Sequence, residues 1–257
     1  MTKSEDFKMS TRKISANLLL LVNEWNNGKT QAEMISELDS MDFSAVEIRR
    51  EYFRDLVQEI PEISSVVQSR NLDLYYSVPD EVFVDGKLNP KLEEYLKEAQ
   101  QMNVSKIKWN IGDFEHFSGN LKETLEPLMK YGIEINIEND QTQTSGRIEP
   151  IKKFMKAVQD SNSDIGYVYD LGNWPFTGDD AMEASKELGQ FARYIHVKDV
   201  EITDGKPDVK PLDGGQIDWR SILDVLPSDV PIALEYPADS LQVIKNGIDK
   251  LEEAVDK

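Results

Sequence analysis

Residues Gly166 to Lys198 read GYVYDLGNWPFTGDDAMEASKELGQFARYIHVK. Gly166–Asp170 and Tyr194–Lys198 are short runs rich in aromatic and β-branched residues. Between them, Asp180–Phe191 returns apolar residues at intervals of three and four. That pattern predicts a strand, a helix and a second strand. Two strands joined through a helix run parallel by a right-handed crossover. Their carboxyl ends therefore share one edge, and there the first strand ends in Asp170 and the second reaches His196.

The same unit repeats along the whole chain. Further strand-like runs occur at Ile14–Leu20, Ala45–Arg49, Leu72–Val78, Lys106–Asn110, Glu134–Glu138 and Ile232–Tyr236. Helix-like stretches lie at Thr30–Ser40, Tyr52–Arg70, Pro90–Met102, Leu121–Tyr131, Ile148–Asp160, Trp219–Leu226 and Ser240–Val255. Counting the first unit gives eight of each in strict alternation, the number that closes a parallel sheet into a (β/α)8 TIM barrel. No linker or shift in composition divides residues 1–257, so one domain is expected, with residues 1–12 as a flexible N-terminal segment. Pro79, Pro175 and Pro237 each follow a proposed strand end, where a missing amide donor does no harm. Gly132 suits a helix C-cap before the fifth strand, and Asp218 an N-cap before WRSIL.

Composition narrows the partners. The net charge of −19, from 48 acidic and 29 basic residues, opposes polyanions, and Lys and Arg nowhere cluster. Nucleic acid and an anionic membrane surface are excluded as expected partners. The chain has no cysteine, which leaves oxygen and imidazole as metal donors and fits a cytoplasmic protein. The segment MTKSEDFKMSTRK has no apolar signal core, and the run Leu18–Val22 is far too short to cross a bilayer.

In a closed barrel, Glu138 in INIEND, Asp170 in YVYDLGN, His196 in YIHVKD and Glu235 in IALEYP end strands five to eight in order. Any one of them alone would be an ordinary strand-end polar residue. Together, on the rim where barrel enzymes place their chemistry, three carboxylates and an imidazole suit a divalent metal. A metal chelating a carbonyl and a neighbouring hydroxyl would stabilise an enediolate. Glu138 and Glu235, approaching from different strands, could then move protons as base and acid. His116, in the irregular GDFEHFSGN, is expected to be a surface residue.

Substrate contacts are expected from Glu47 at the end of the second strand, from Lys108 and Trp109 at the end of the fourth, from Asn173 after the sixth, and from Lys198 on the same strand face as His196. Tyr76 and Trp174 could supply apolar walls for the substrate. Asp213, Gly214 and Gly215 form either a phosphate-binding loop or a plain turn before the seventh helix.

The motifs VEIRREYF, INIEND, YDLGNW, YIHVKDV, LDGGQIDWRSIL and IALEYP resemble the xylose isomerase-like TIM barrels of the sugar phosphate isomerase/epimerase superfamily, over essentially the whole chain. That superfamily includes ketose 3-epimerases, inosose dehydratases and the endonuclease IV type. The resemblance implies a metal held by Glu138, Asp170, His196 and Glu235, with Mn²⁺ favoured and Mg²⁺, Co²⁺ or Zn²⁺ as alternatives. It also implies acid–base work by the two glutamates. Where ketose 3-epimerases hold the sugar with a histidine and an arginine, this chain has Asn173 and Ile202. The endonuclease branch needs further histidines, and there are two in all. The expectation is a metal-dependent isomerase or epimerase of a small sugar, polyol or sugar phosphate, compatible with a homo-oligomer. A dehydratase of the inosose or dehydroshikimate type and a non-catalytic carbohydrate-binding barrel are the alternatives.

Overall fold

The computed structural model describes residues 12–255. Eight strands, β1 (Ile14–Asn17), β2 (Ala45–Arg49), β3 (Asp73–Val84), β4 (Lys106–Gly112), β5 (Glu134–Glu138), β6 (Ile165–Asp170), β7 (Ala192–Val197) and β8 (Ile232–Leu234), form the barrel. Each pairs in parallel with the next, and β8 closes on β1 through Ile14 opposite Ile232. Helices occupy the connections and cover the outside, so this is a single (β/α)8 barrel.

Alternation along each strand makes two cores. Outward residues such as Val46, Ile48, Ile107, Ile137, Tyr169 and Ile195 join the helices in one large apolar layer. Inward residues form a small separate cluster of Ala45, Tyr75, Val168, Tyr194 and Ala233 that plugs the barrel. Tyr75 and Tyr194 meet edge to face there, with ring centroids 5.1 Å apart. Above this plug, toward the carboxyl ends of the strands, the interior is polar.

Four local features depart from the sequence expectation. The first strand ends at Asn17 rather than Leu20, because the Asn17 side chain accepts the Leu19 amide at 2.9 Å and caps a 3-10 turn over Leu18–Leu21. Four consecutive leucines are apolar without any period, so they do not report their geometry. The third helix begins at Leu56, where the Asp55 carboxylate caps the Val57 and Gln58 amides. Strand β3 continues through Pro79 to Val84, across a register shift against β4 between Ser77 and Glu81. That break is where a residue without an amide hydrogen is tolerated.

The fourth departure is an antiparallel hairpin, Asp199–Thr203 with Lys206–Lys210, that interrupts the crossover after β7. Its turn residues Asp204 and Gly205 both have positive φ, the geometry that an Asp-Gly pair favours. Two expected helix boundaries hold. Gly132 takes φ +67° just before β5, and Asp218 caps the helix Trp219–Leu223 through the Ser221 amide. Residues 1–11 of the expected flexible segment lie outside the described residues. Arg12 is anchored, with Nε donating to Val230 O at 2.8 Å and Nη2 to Pro227 O at 2.7 Å.

Candidate metal centre

The four strand-end residues converge. One ligand atom from each of Glu138, Asp170, His196 and Glu235 lies within 4.8 Å of all the others, and all four side chains are buried. Strand pairing brings them together: Asp170 sits beside His196 in the β6–β7 register, and Ala233, two residues before Glu235, sits beside His196 in the β7–β8 register. Each falls on the inward parity of its strand.

Every one of these side chains has one polar atom held by the protein and another aimed at the common centre. Glu138 Oε2 is bound by the Lys108 ammonium. Asp170 Oδ1 accepts the Gly172 amide at 2.8 Å, and Glu235 Oε1 accepts Arg49 Nη1 at 2.9 Å. His196 Nε2 lies 2.7 Å from Glu47 Oε2, which also accepts the Tyr194 hydroxyl at 2.7 Å. The inner atoms gather around His196 Nδ1: Glu138 Oε1 at 2.8 Å, Glu235 Oε2 at 3.1 Å and Asp170 Oδ2 at 3.9 Å. Glu138 Oε1 is buried, and its close polar neighbour is His196 Nδ1 at 2.8 Å. Three buried carboxylate oxygens gathered beside an imidazole nitrogen fit a divalent cation.

Outer hydrogen bonds of this kind orient metal ligands. Backbone groups contribute too: the Asn139 side chain accepts the Asp170 amide and the Tyr167 hydroxyl, at 2.9 and 2.7 Å, while donating to Asp170 O at 2.9 Å. This double clasp holds the end of β6 against β5.

Burial opposes charge at each of these groups, and the neighbours decide the result. For Glu138, burial is outweighed by Lys108 and His196, which hold its pKa below the usual carboxylate range. Glu235 is held well below it, because Lys198 and His196 overcome burial. Asp170 goes the other way: burial, reinforced by Glu235 and Glu138, prevails over Lys198 and pushes it up to about 7. His196 is raised well above its ordinary value in spite of burial, because Glu47, Glu235 and Glu138 surround it. Without a metal, the centre therefore favours an imidazolium and retains a proton readily on Asp170.

Other expected site residues divide by strand face. Lys108, Lys198 and Glu47 join the centre. Glu47 lies beneath the imidazole rather than open to substrate, only 1% exposed. Tyr76 and Trp109 belong to the outward layer, so neither walls the barrel mouth. Tyr76 donates to Glu98 in the helix Leu92–Gln101 at 2.6 Å, and its neighbour Tyr75 is the inward one. Trp174 likewise packs into the helical layer, 5.8 Å from Tyr169 ring to ring.

Asn173 is buried at the rim, with Nδ2 donating to Asn139 O at 2.8 Å and its oxygen accepting from Gln141. Ile202 stands on the hairpin and is exposed. His116 is exposed in the loop after β4, paired with Asp113.

The loop Asp213–Gly215 is a turn. The Gly215 and Ile217 amides go to the Asp199 carboxylate, Gly214 N to Pro211 O and Gln216 N to Val200 O. These amides are committed and form no phosphate cradle.

Two contributors escaped the sequence. Arg49 stands two residues after Glu47, so shared strand parity was the available signal; Asn139 follows Glu138 directly and offered none. Grooves of 540 and 580 Å³ lie on the barrel's periphery, and neither is lined by the four converging residues.

The closed barrel and this cluster define a class, a TIM barrel with a candidate divalent-metal centre at its carboxyl-terminal mouth. The family model for xylose isomerase-like TIM barrels matches residues 91–256. The chain belongs to that family. No curated protein matches it.

Among solved structures, the probable 3-DHS dehydratase AsbF, involved in petrobactin synthesis in Bacillus anthracis, has 12% identity and a TM-score of 0.71, covering 93% of this chain and 98% of that one. The IolI protein, solved with a binding zinc atom, has 16% identity and a TM-score of 0.67, covering 95% and 98%. The 3-keto-D-glucoside 4-epimerase YcjR from E. coli has 12% identity and a TM-score of 0.62, also covering 95% and 98%. At these identities the likeness is one of fold.

Proposed function

We propose that this protein is a divalent-metal-dependent isomerase or epimerase of a small sugar or polyol, with Glu138, Asp170, His196 and Glu235 as ligands and Glu138 and Glu235 as the acid–base pair. The observation that carries it is the division of each ligand into one anchored atom and one atom aimed at a shared centre. Three buried carboxylates are costly to maintain in a barrel that only binds carbohydrate. The epimerase and dehydratase among the similar folds, and the zinc in a third, accord with this chemistry. We favour Mn²⁺ among the divalent ions. An unphosphorylated substrate accords with the occupied amides of the Asp213–Gly215 loop.

A bound ion would polarise the substrate carbonyl and so acidify the adjacent C–H bond. Glu138 and Glu235 reach the centre from β5 and from the end of β8. In the metal-free protein both are held ionised, Glu138 chiefly by Lys108 and Glu235 chiefly by Lys198, and a carboxylate is the form that accepts a carbon-bound proton. The other glutamate, having taken a proton from solvent, would deliver it to the opposite face to give the epimer, and the proton taken up by the first would return to solvent. Return to the neighbouring carbon instead gives aldose–ketose isomerisation. Arg49 and Lys108 hold the outer oxygens of the two glutamates, so the carboxylates keep their orientation as the proton moves.

The test is a screen of sugars, polyols and sugar phosphates with Mn²⁺-loaded protein in D₂O, reading loss of C–H signals by NMR. Exchange with at least one substrate is expected. Binding without exchange across the set would sink the enzymatic proposal in favour of a carbohydrate-binding barrel. Loss of water to give an unsaturated product would replace it with a dehydratase.

A further inference from the structure

Three carboxylate oxygens face His196 Nδ1 at the centre, and two of them already contact a cation of the protein. Lys198 Nζ lies 2.6 Å from Asp170 Oδ2 and 2.8 Å from Glu235 Oε2, the oxygens that face the common centre. The other two cations of the site behave differently, since Arg49 and Lys108 take the outer oxygens. Lys198 is 3% exposed, and the sequence makes room for its stem at one place. A Cβ on Gly172 would stand 2.3 Å from Lys198 Cγ and within 3.0 Å of Cδ and Cε. Gly172 has no left-handed φ that would otherwise demand glycine, so its lack of a side chain serves the lysine.

We propose that Lys198 is a resident cation that occupies the Asp170–Glu235 side of the centre and is displaced when a divalent metal binds. It rests on the metal reading of the preceding section. Two carboxylates brought together in a barrel interior repel each other and lose solvation, and an ammonium between them offsets both costs. A divalent ion uses the same two oxygens, and the ammonium seated on them repels it, so on this side of the centre metal and Lys198 compete. Apparent metal affinity is scaled down to the fraction of molecules in which Lys198 has left those oxygens. The lysine thus keeps the ligands gathered in the metal-free protein and weakens the metal at the same time.

The experiment measures Mn²⁺ affinity by calorimetry, and melting temperature in EDTA, for the wild type, Lys198→Met, Gly172→Ala and the double variant. Lys198→Met should bind Mn²⁺ roughly tenfold tighter or more, as expected where the blocked arrangement holds nine molecules in ten. It should also melt lower in EDTA, so that the melting shift on adding Mn²⁺ grows. Gly172→Ala, which pushes the lysine stem aside and leaves all four ligands in place, should change affinity in the same direction. The double variant should add nothing to Lys198→Met, because both act on one contact. Unchanged or weaker Mn²⁺ binding by Lys198→Met overturns the proposal and makes Lys198 a support for the ligands. If Lys198→Met does not fold, tighter binding by Gly172→Ala decides for the proposal and unchanged or weaker binding decides against it. A wild type that binds no Mn²⁺ would instead refute the metal reading on which it rests.

Discussion

Replacing Glu47 should cripple metal binding although it is none of the four ligands. Its Oε2 is the partner of His196 Nε2 and also accepts the Tyr194 hydroxyl, both at 2.7 Å. Glu47→Leu removes both. Tyr194 has a second partner, Ser15 Oγ at 2.8 Å, and can turn to it, whereas the imidazole Nε2–H has no substitute. A buried donor left alone costs about 1–3 kcal/mol. For a chain of this length that lowers the melting temperature by about 3–10 °C.

The ring is then free to turn or to change tautomer, and loss of such an outer partner typically weakens a metal site by about 10–100-fold, or about 1.4–2.7 kcal/mol. Glu47→Gln retains an acceptor oxygen and should lose less than about tenfold. Mn²⁺ titration against a competing chelator, with melting curves in EDTA, measures both effects. If Glu47→Leu binds Mn²⁺ within about twofold of the wild type and melts within about 1 °C of it, the orienting role assigned to Glu47 is wrong.

Three further outcomes follow from the same geometry. Glu138→Gln and Glu235→Gln, assayed at saturating metal, should each lose roughly 10²- to 10⁴-fold in turnover, the scale of a lost general base, and near-normal turnover in both would move the base elsewhere. Asp170→Asn should lose Mn²⁺ affinity and leave the EDTA melting temperature close to the wild type, since burial already makes the charged carboxylate costly there and Asn keeps an oxygen for Lys198; outright unfolding would show Asp170 to be chiefly structural. Protons on Asp170, near 7, and on His196 compete with the ion, so apparent Mn²⁺ affinity should rise with pH through 7, by up to about tenfold per unit for each proton released, and a falling affinity would contradict the assignment. In the metal-free protein the sign reverses: the stability that Asp170 contributes below its ordinary value of 3.8 is lost as pH rises through about 7, which urea denaturation in EDTA at pH 5 and 8 would measure.

The barrel was legible in the sequence because its signals are local. Alternating apolar residues in eight short runs, and apolar returns at three and four between them, each report the conformation of their own segment. Strand ends are local as well, so Glu138, Asp170, His196 and Glu235 could be placed on one rim before any coordinates. Signals failed where apolar residues carry no period, as at Leu18–Leu21, or where one residue's shift reverses the face. Tyr76 and Trp109 were expected in the mouth and lie outside it, while Tyr75 and Lys108, one position earlier, point inward.

What the chain could not declare by itself is how each ligand is held. Glu138 is anchored by Lys108 across 30 residues, His196 by Glu47 across 149 and Glu235 by Arg49 across 186. Each pair joins different strands, and a charge chooses its partner by distance through the barrel interior, where low polarity strengthens the attraction and makes an unpaired ion costly. Sequence separation carries no trace of that choice. Local pattern therefore determined that four candidate ligands share a rim, and only closure of the barrel decided which oxygen of each carboxylate the protein keeps and that Lys198 stands on two of the others.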